Sequence, residues 1–385
     1  MRKQTRRRLL TGLGIAAATV AAGSWWVARP RPAPIGFSIG PDELAAARAL
    51  LARHPAFDAH AHPGRSFVDG AENLSGLVWV YARLGSFEDD TVAAMRTGGL
   101  AAAAFAAVSD FQALGLQGEG LASVRAFEPG EAWASYRRQL ARLQSLVARG
   151  LVAPVLTPAD VALARSQGKV GAMWTVEGGD FLEGRADRVA QAYADGVRSI
   201  TLMHYRNNEL GDIITGAPVH RRLTDAGVAV VRAMNAAGML VDVAHASEAT
   251  AFGIIEASTR PVIASHVHVH GTHSHPRFIT PDLARAVVAR GGGLVGAWPA
   301  GIGIADLRGF VDRALELVEI AGIDHVCLGT DMDANYKPVL DTYAHLPHFV
   351  AGLAQRGLAE ADIARLIGGN YLRLLATVQS AGAQA

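Results

Sequence analysis

A single cysteine, Cys327, is all the thiol that this chain of 385 residues carries. That excludes an intrachain disulfide, and it excludes a closed structural zinc site built on clustered thiolates. Cys327 lies in an apolar run, where a small buried strand residue is the simplest reading. Charge is scarce and balanced. Charged residues make up 18% of the chain and the formal net charge is +1, so composition gives no case for nucleic acid or an anionic membrane surface as a partner. No G-x-G-x-x-G follows the first strand-like run, so a dinucleotide-binding sheet lacks its usual mark. Half of the residues are hydrophobic, enough for a large buried core. The length suits two average domains or one barrel, since barrels run to about 250 residues and beyond with insertions.

The N-terminus stands apart from the rest. Thr5-Arg6-Arg7-Arg8-Leu9-Leu10 precedes Thr11 to Val27, a stretch without charge. A basic start followed by an apolar segment is the pattern of an export signal, and the paired arginines point to the twin-arginine route, which carries folded proteins. Leu9 to Ala28 spans 20 residues, about the length that crosses a bilayer, so an uncleaved anchor is the alternative. Residues 1–35 are thus expected to be a signal or anchor plus a Pro-rich linker. The protein would lie in the periplasm or be held at the outer face of the cytoplasmic membrane. Residues 36–385 are expected to form the working domain.

In that domain, strand-like and helical patterns alternate. Apolar runs read AFDAH (56–60), GAMWTVE (171–177), SITLMH (199–204), MLVDVAH (239–245), PVIASH (261–266) and HVCLGTD (325–331). Two more strands are expected within 98–108 and 292–298. Helices are expected over 186–195, 225–237, 247–257, 281–290 and 307–321. An insert over 109–160 holds an amphipathic helix, 130–149, with Trp133, Tyr136, Leu140, Leu143 and Leu146 at helical spacing. Eight strands with interleaved helices predict an α/β fold, a (β/α)₈ TIM-like barrel, over an open sheet.

His60, Glu177, His204, His245, His266 and Asp331 each close one of the six runs. A parallel barrel gathers its chemistry at the C-terminal mouth of its strands. A single buried histidine is more often a satisfied core group than a ligand, but six repeats of one position make a metal centre the better account. His62 follows His60 by two, and in an extended strand both imidazoles would face one side. Imidazole and carboxylate donors suit zinc. Glu177, between the two histidine groups in sequence, can bridge two ions that share a nucleophilic hydroxide. Of the cluster His266, His268, His270, His273 and His275, only His266 is assigned as a ligand. The others are placed in the following loop, with His275 the one that could meet substrate.

These segments, in this order, resemble the membrane dipeptidase (renal dipeptidase) family of zinc peptidases. The resemblance covers about 57–375 and rests on FDAHAHP (57–63), W-T-V-E-G-G (174–179), L-M-H-Y-R-N-N-E-L-G-D (202–212), V-D-V-A-H-A-S (241–247), I-A-S-H (263–266), H-P-R (275–277), L-G-T-D-M-D (328–333) and G-G-N-Y-L-R (368–373). It implies two zinc ions. His60, His62 and Glu177 would hold one, with Asp331 close by, and Glu177, His245 and His266 the other. His204 would contact the substrate and the developing oxyanion, and Arg277 would bind the free carboxylate of a dipeptide. Asn370 would secure the last helix. His62 departs from the family's aspartate and removes one negative charge, which should favour a lower pKa for bound water, weaken the second ion or shift substrate choice. Met332 and Ala334 replace residues that are commonly Phe and Gly.

The expected activity is therefore that of a zinc-dependent dipeptidase, with Asp331 accepting the proton of the nucleophile and passing it to the leaving amine. The alternatives are another binuclear amidohydrolase, such as an N-acyl amino acid deacylase or a lactonase, and an inactive exported metal-binding protein. Asp331 and Glu177 count against the last. Dipeptide preference and oligomeric state, a homo-oligomer included, are left open by the sequence.

Overall fold

The computed structural model describes residues 33–117, 120–271 and 273–380. The expected export signal or anchor lies outside the described residues. Among those described, no helix is long and apolar enough to cross a membrane. Eight parallel strands close into a barrel. They are β1 (Ala56–Ala61), β2 (Leu100–Val108), β3 (Val170–Glu177), β4 (Val197–Thr201), β5 (Leu240–Asp242), β6 (Ile263–Val267), β7 (Leu294–Ala297) and β8 (Val326–Leu328). The strands run in sequence order around the ring, with β1 between β8 and β2 and with β2 paired to β3. That last pairing runs without a register shift from Ala102 opposite Gly171 to Val108 opposite Glu177.

Side chains alternate across each strand, so one set faces the barrel axis and the other the helices. Phe57, Ala59, Ala102, Ala104, Met173, Leu240, Ile263, Leu294 and Cys327 form an inner cluster with Tyr371, Leu374 and Leu375. Cys327 is thus the small buried strand residue that its apolar run suggests. Phe57 stacks on Tyr371 with ring centroids 4.3 Å apart, so the last helix (Asn370–Ser380) packs against the inner set. Ala103, Phe105, Ala172, Trp174 and Val241 belong to the outer core with helix residues such as Leu140, Val230 and Leu317. The run of alanines in β2, buried along its full length, suits a strand covered on both faces.

The helices Asp225–Ala237 and Leu307–Ala321 occupy the spans expected from their periodicity. Their starts are fixed locally: Thr224 and Asp306 accept hydrogen bonds from the amides of Gly227 and Gly309. The insert after β2 is richer than a single amphipathic helix. It contains a hairpin (Leu114–Gln117 with Gly120–Ser123), the helix Glu131–Ala148, a short strand Val152–Pro154 beside β3, and the helix Pro158–Ser166. Helices Pro41–Arg53, Gly76–Arg83 and Glu88–Gly98 also flank β1 where only alternation was expected.

Asn370 begins the last helix buried. Its amide donates to the carbonyl oxygens of Ile323 at 2.7 Å and Val326 at 2.9 Å, tying that helix to the start of β8. Replacement Asn370→Ala strands both carbonyls. We expect it to lower stability by about 1–3 kcal/mol, read as a shift of the urea midpoint; an unchanged midpoint would show that the tie carries no weight.

Candidate metal centre

The strand-end residues converge on one carboxylate. Glu177, the last residue of β3, is 1% exposed. Its Oε1 lies 3.3 Å from His60 Nε2, 3.1 Å from His245 Nε2 and 3.5 Å from His266 Nε2. Its Oε2 lies 3.2 Å from His62 Nε2 and 3.3 Å from His204 Nε2. His62 Nε2 is also 3.3 Å from Asp331 Oδ1. The imidazoles pair around Glu177, with His60 and His62 Nε2 atoms 3.1 Å apart and those of His245 and His266 2.9 Å apart.

Two sets of ligand atoms are close enough to hold an ion: His60, His62 and Glu177, and Glu177, His245 and His266. Glu177 is common to both. Its Oε1 has no hydrogen-bond partner although three ring nitrogens surround it. A buried carboxylate oxygen left so, facing nitrogens that face one another, is a donor set fitted to cations rather than to a hydrogen-bond network. The nitrogen and oxygen donors suit zinc.

Electrostatics agree with this reading. Burial opposes charge on Glu177, yet His204, His60 and His245 hold its pKa well below the usual carboxylate range. Burial opposes charge on His62 as well, and the Asp331 and Glu177 carboxylates overcome it, raising that imidazole to about 10. A proton there balances negative charge that a cation would otherwise balance. Burial keeps His245 and His266 well below the ordinary histidine value, so both present neutral rings, the form that ligates metal.

The ring orientations are set by a further layer of buried groups that sequence reasoning missed. Asp58 accepts from the amides of His60 and Thr330, at 3.2 and 2.9 Å, and from the Tyr343 hydroxyl at 2.6 Å. Asp242 does the same on the other side, accepting from the amides of Ala244 and Ser265 at 3.0 Å each and from Thr201 Oγ1 at 2.7 Å. Ser265, which also donates to Asp242, sits 2.9 Å from His266 Nδ1. Asp110 holds His204: its Oδ1 is 2.6 Å from His204 Nδ1 and its Oδ2 accepts from the Tyr205 amide at 2.9 Å. Burial disfavours the charged form of His204, but Asp110 and Glu177 outweigh it and raise its pKa. The signal for the first two was present as aspartates two and three residues before ligand histidines; Asp110 has no such mark.

Several positions differ from the expected strand geometry. His204, His245 and Asp331 each lie three residues beyond their strands, not on them. His245 and Asp331 have positive φ, 65° and 53°, a conformation seldom adopted outside glycine and often found at functional sites. His62 follows β1 with φ −120° and ψ 62°, so a turn, not a continued strand, brings it beside His60. Its amide donates to Met332 O at 2.9 Å and the Asp331 amide donates to His60 O at 2.8 Å, locking the segment after β8 to the end of β1. Gly178 has φ 91°, and a Cβ there would lie 3.1 Å from Asp180 and 3.5 Å from His204; the chain turns away from Glu177 at that residue.

Arg277 is 2% exposed. Nη2 donates to His266 O at 3.3 Å, while Nε and Nη1 have no partner. Its guanidinium lies 5.2 Å from the Trp298 ring centroid, and its charge contributes to the lowered pKa values of His245 and His266. His268 is buried against Phe278 and Trp298, and His275 Nδ1 accepts from the Arg277 amide at 3.1 Å; neither belongs to the ligand sets. A cavity of about 330 Å³ opens over the centre, with His62, Glu177, His204, His245 and Asp331 in its lining.

Comparison with known proteins gives the same picture. A family model described as membrane dipeptidase (peptidase family M19) matches residues 44–385. The chain is 30% identical over 218 residues to the dipeptidase verJ of Clonostachys rogersoniana, covering 55% of this chain and 56% of that protein. It spans about half the length of the curated relatives it matches. Among solved structures it resembles the probable dipeptidase PvdM of Pseudomonas aeruginosa, with TM-score 0.73 and 18% identity over 89% of this chain and 100% of that one. It also resembles a Rhodobacter sphaeroides metallo peptidase liganded with a phosphinate mimic of the dipeptide L-Ala-D-Ala. There the TM-score is 0.68 and the identity 21%, over 84% and 99% of the two chains. At these identities the structures establish the fold.

Because Glu177 serves both ligand sets and His266 only one, their removal should differ. Metal content by atomic emission should fall to near zero in Glu177→Ala and to about half the wild-type value in His266→Ala. Equal metal content in the two variants would show that Glu177 is not shared.

Proposed function

Since the chain belongs to the membrane dipeptidase family, peptidase family M19, we propose that it is a zinc-dependent dipeptidase that hydrolyses the amide bond of small dipeptides. The observation that carries this reading is Glu177 between two pairs of imidazoles, with the unpartnered N–H groups of buried Arg277 near the same centre. His60, His62 and Glu177 would hold one zinc ion, and Glu177, His245 and His266 a second. Bound zinc would supply water that is nucleophilic near neutral pH and would polarise the scissile carbonyl.

The protein's own groups do the rest. Asp331 stands at the edge of the centre with its side chain 13% exposed, where it can take a proton from the attacking water and return it to the leaving amine. His204 is held by Asp110 in a form that favours a proton on its ring; its Nε2 donates to the oxygen that gains charge as the carbonyl becomes tetrahedral. Arg277 binds the C-terminal carboxylate of the dipeptide through paired hydrogen bonds, a geometry that guanidinium matches. The phosphinate dipeptide mimic bound by the Rhodobacter sphaeroides metallo peptidase is in keeping with a substrate of this size. We further propose that the basic and apolar N-terminal segment directs export, so that the barrel works in the periplasm or at the outer face of the cytoplasmic membrane.

Two substitutions test these roles. Asp331→Asn should lower kcat by roughly 10²–10⁴-fold while metal content is retained; undiminished turnover would remove it from proton transfer. Arg277→Met should act through binding, raising KM for free dipeptides by roughly 10- to 100-fold. Wild type should hydrolyse free dipeptides and leave their C-terminal amides intact. Equal cleavage of both would move the substrate towards that of another amidohydrolase.

A further inference from the structure

The cavity above the centre is lined very differently from its floor. Phe67, Val78, Tyr81, Phe111, Leu114 and Leu121 form much of its wall, and they come from the segments that follow β1 and β2. Apart from the centre itself, no charged side chain among the described residues lines it. Tyr205 also lines the wall. A volume of about 330 Å³ lies at the lower end of the range for small-molecule sites, roughly 300–1,000 Å³. Leu116 and Leu121 stand at the hairpin tip, 51% and 40% exposed, with apolar side chains turned to the cavity where a solvent-facing loop would ordinarily carry polar ones.

Position around the ring sets which part of a substrate meets this wall. Arg277 follows β6, and the ring order β2, β1, β8, β7, β6 places β6 four strands from β2, diametrically across the mouth. A molecule whose carboxylate is held at Arg277 and whose amide lies over Glu177 must therefore extend its acyl half towards the wall after β1 and β2. A charged side chain placed against that wall would lose water and find no partner, whereas an aliphatic or aromatic one would gain by leaving water. We propose that this cavity is a specificity site for a bulky apolar group on the acyl side of the scissile amide. It rests on the dipeptidase reading only for the direction in which the substrate lies. The same chemistry can come from the side chain of an N-terminal residue or from a fatty acyl chain on a single amino acid.

The test is a kcat/KM series on the zinc-loaded protein: Gly-Ala, Leu-Ala, Phe-Ala and Asp-Ala, beside N-acetylalanine and N-octanoylalanine. Leu-Ala and Phe-Ala should exceed Gly-Ala by roughly 10- to 100-fold, with Asp-Ala lowest. Leu121→Asp should shrink the ratio of Leu-Ala to Gly-Ala several-fold, and an unaltered ratio would overturn the assignment to this cavity. Equal values across the dipeptides, or a preference for Asp-Ala, would overturn it outright. Inert dipeptides with N-octanoylalanine cleaved faster than N-acetylalanine would overturn the dipeptidase reading and uphold the cavity. If nothing is hydrolysed, the dipeptidase reading fails and calorimetry decides the cavity. Tighter binding of N-octanoylalanine than of N-acetylalanine upholds it, and equal binding overturns it.

Discussion

A buried negative charge without a hydrogen bond to one of its oxygens is the constraint on which this structure turns. Glu177 is removed from water at the end of β3, and burying a carboxylate alone is prohibitive. Five imidazoles reach its two oxygens within 3.5 Å, yet Oε1 remains without a hydrogen bond. Cations shared among these groups would satisfy the carboxylate and the ring nitrogens together. The rest of the top of the barrel is arranged to keep the rings where they are. Asp58 and Asp242 each gather backbone amides and hydroxyls around a ligand-bearing segment, and the segment after β8 is pinned to β1 by reciprocal amide bonds.

The barrel explains why such an arrangement is available to this chain. Closing eight parallel strands brings side chains separated by more than 250 positions in sequence into contact, as His62 and Asp331 are. The strands themselves supply only a rigid frame. Several residues of the proposed centre lie just past their ends, where His245 and Asp331 adopt left-handed backbone that the surrounding bonds must hold in place. The roles proposed for His245 and Asp331 thus fall on strained backbone.

The fold was legible because its signals are local and repeated. Apolar runs of strand length alternate with helical periodicity, and N-caps such as Thr224 and Asp306 mark the helix starts. The candidate ligands other than His62 were legible because each ends such a run, and the order of short motifs pointed to the family. The orienting aspartates were harder to read. Asp58 and Asp242 were in plain view within those motifs, but an aspartate near a histidine has no assigned role until its partners are known, and Thr330, Tyr343 and Thr201 are distant in sequence. Asp110 follows the apolar run of β2 by two residues, but no histidine near it in sequence marks a role. H-x-H fits an extended strand and a turn equally, so the turn at His62 has no mark in the sequence. The apolar wall of the cavity was invisible, since Phe67, Val78 and Leu121 belong to three separate elements that meet only after the barrel closes.

The central claim, that Glu177 bridges two metal sites, is tested most directly by anomalous scattering at the zinc edge from crystals of the zinc-loaded protein. The account predicts two peaks flanking the Glu177 carboxylate, one about 2.0–2.1 Å from the Nε2 atoms of His60 and His62 and the other as close to those of His245 and His266. A single peak, or two peaks of which one does not touch Glu177, would contradict it.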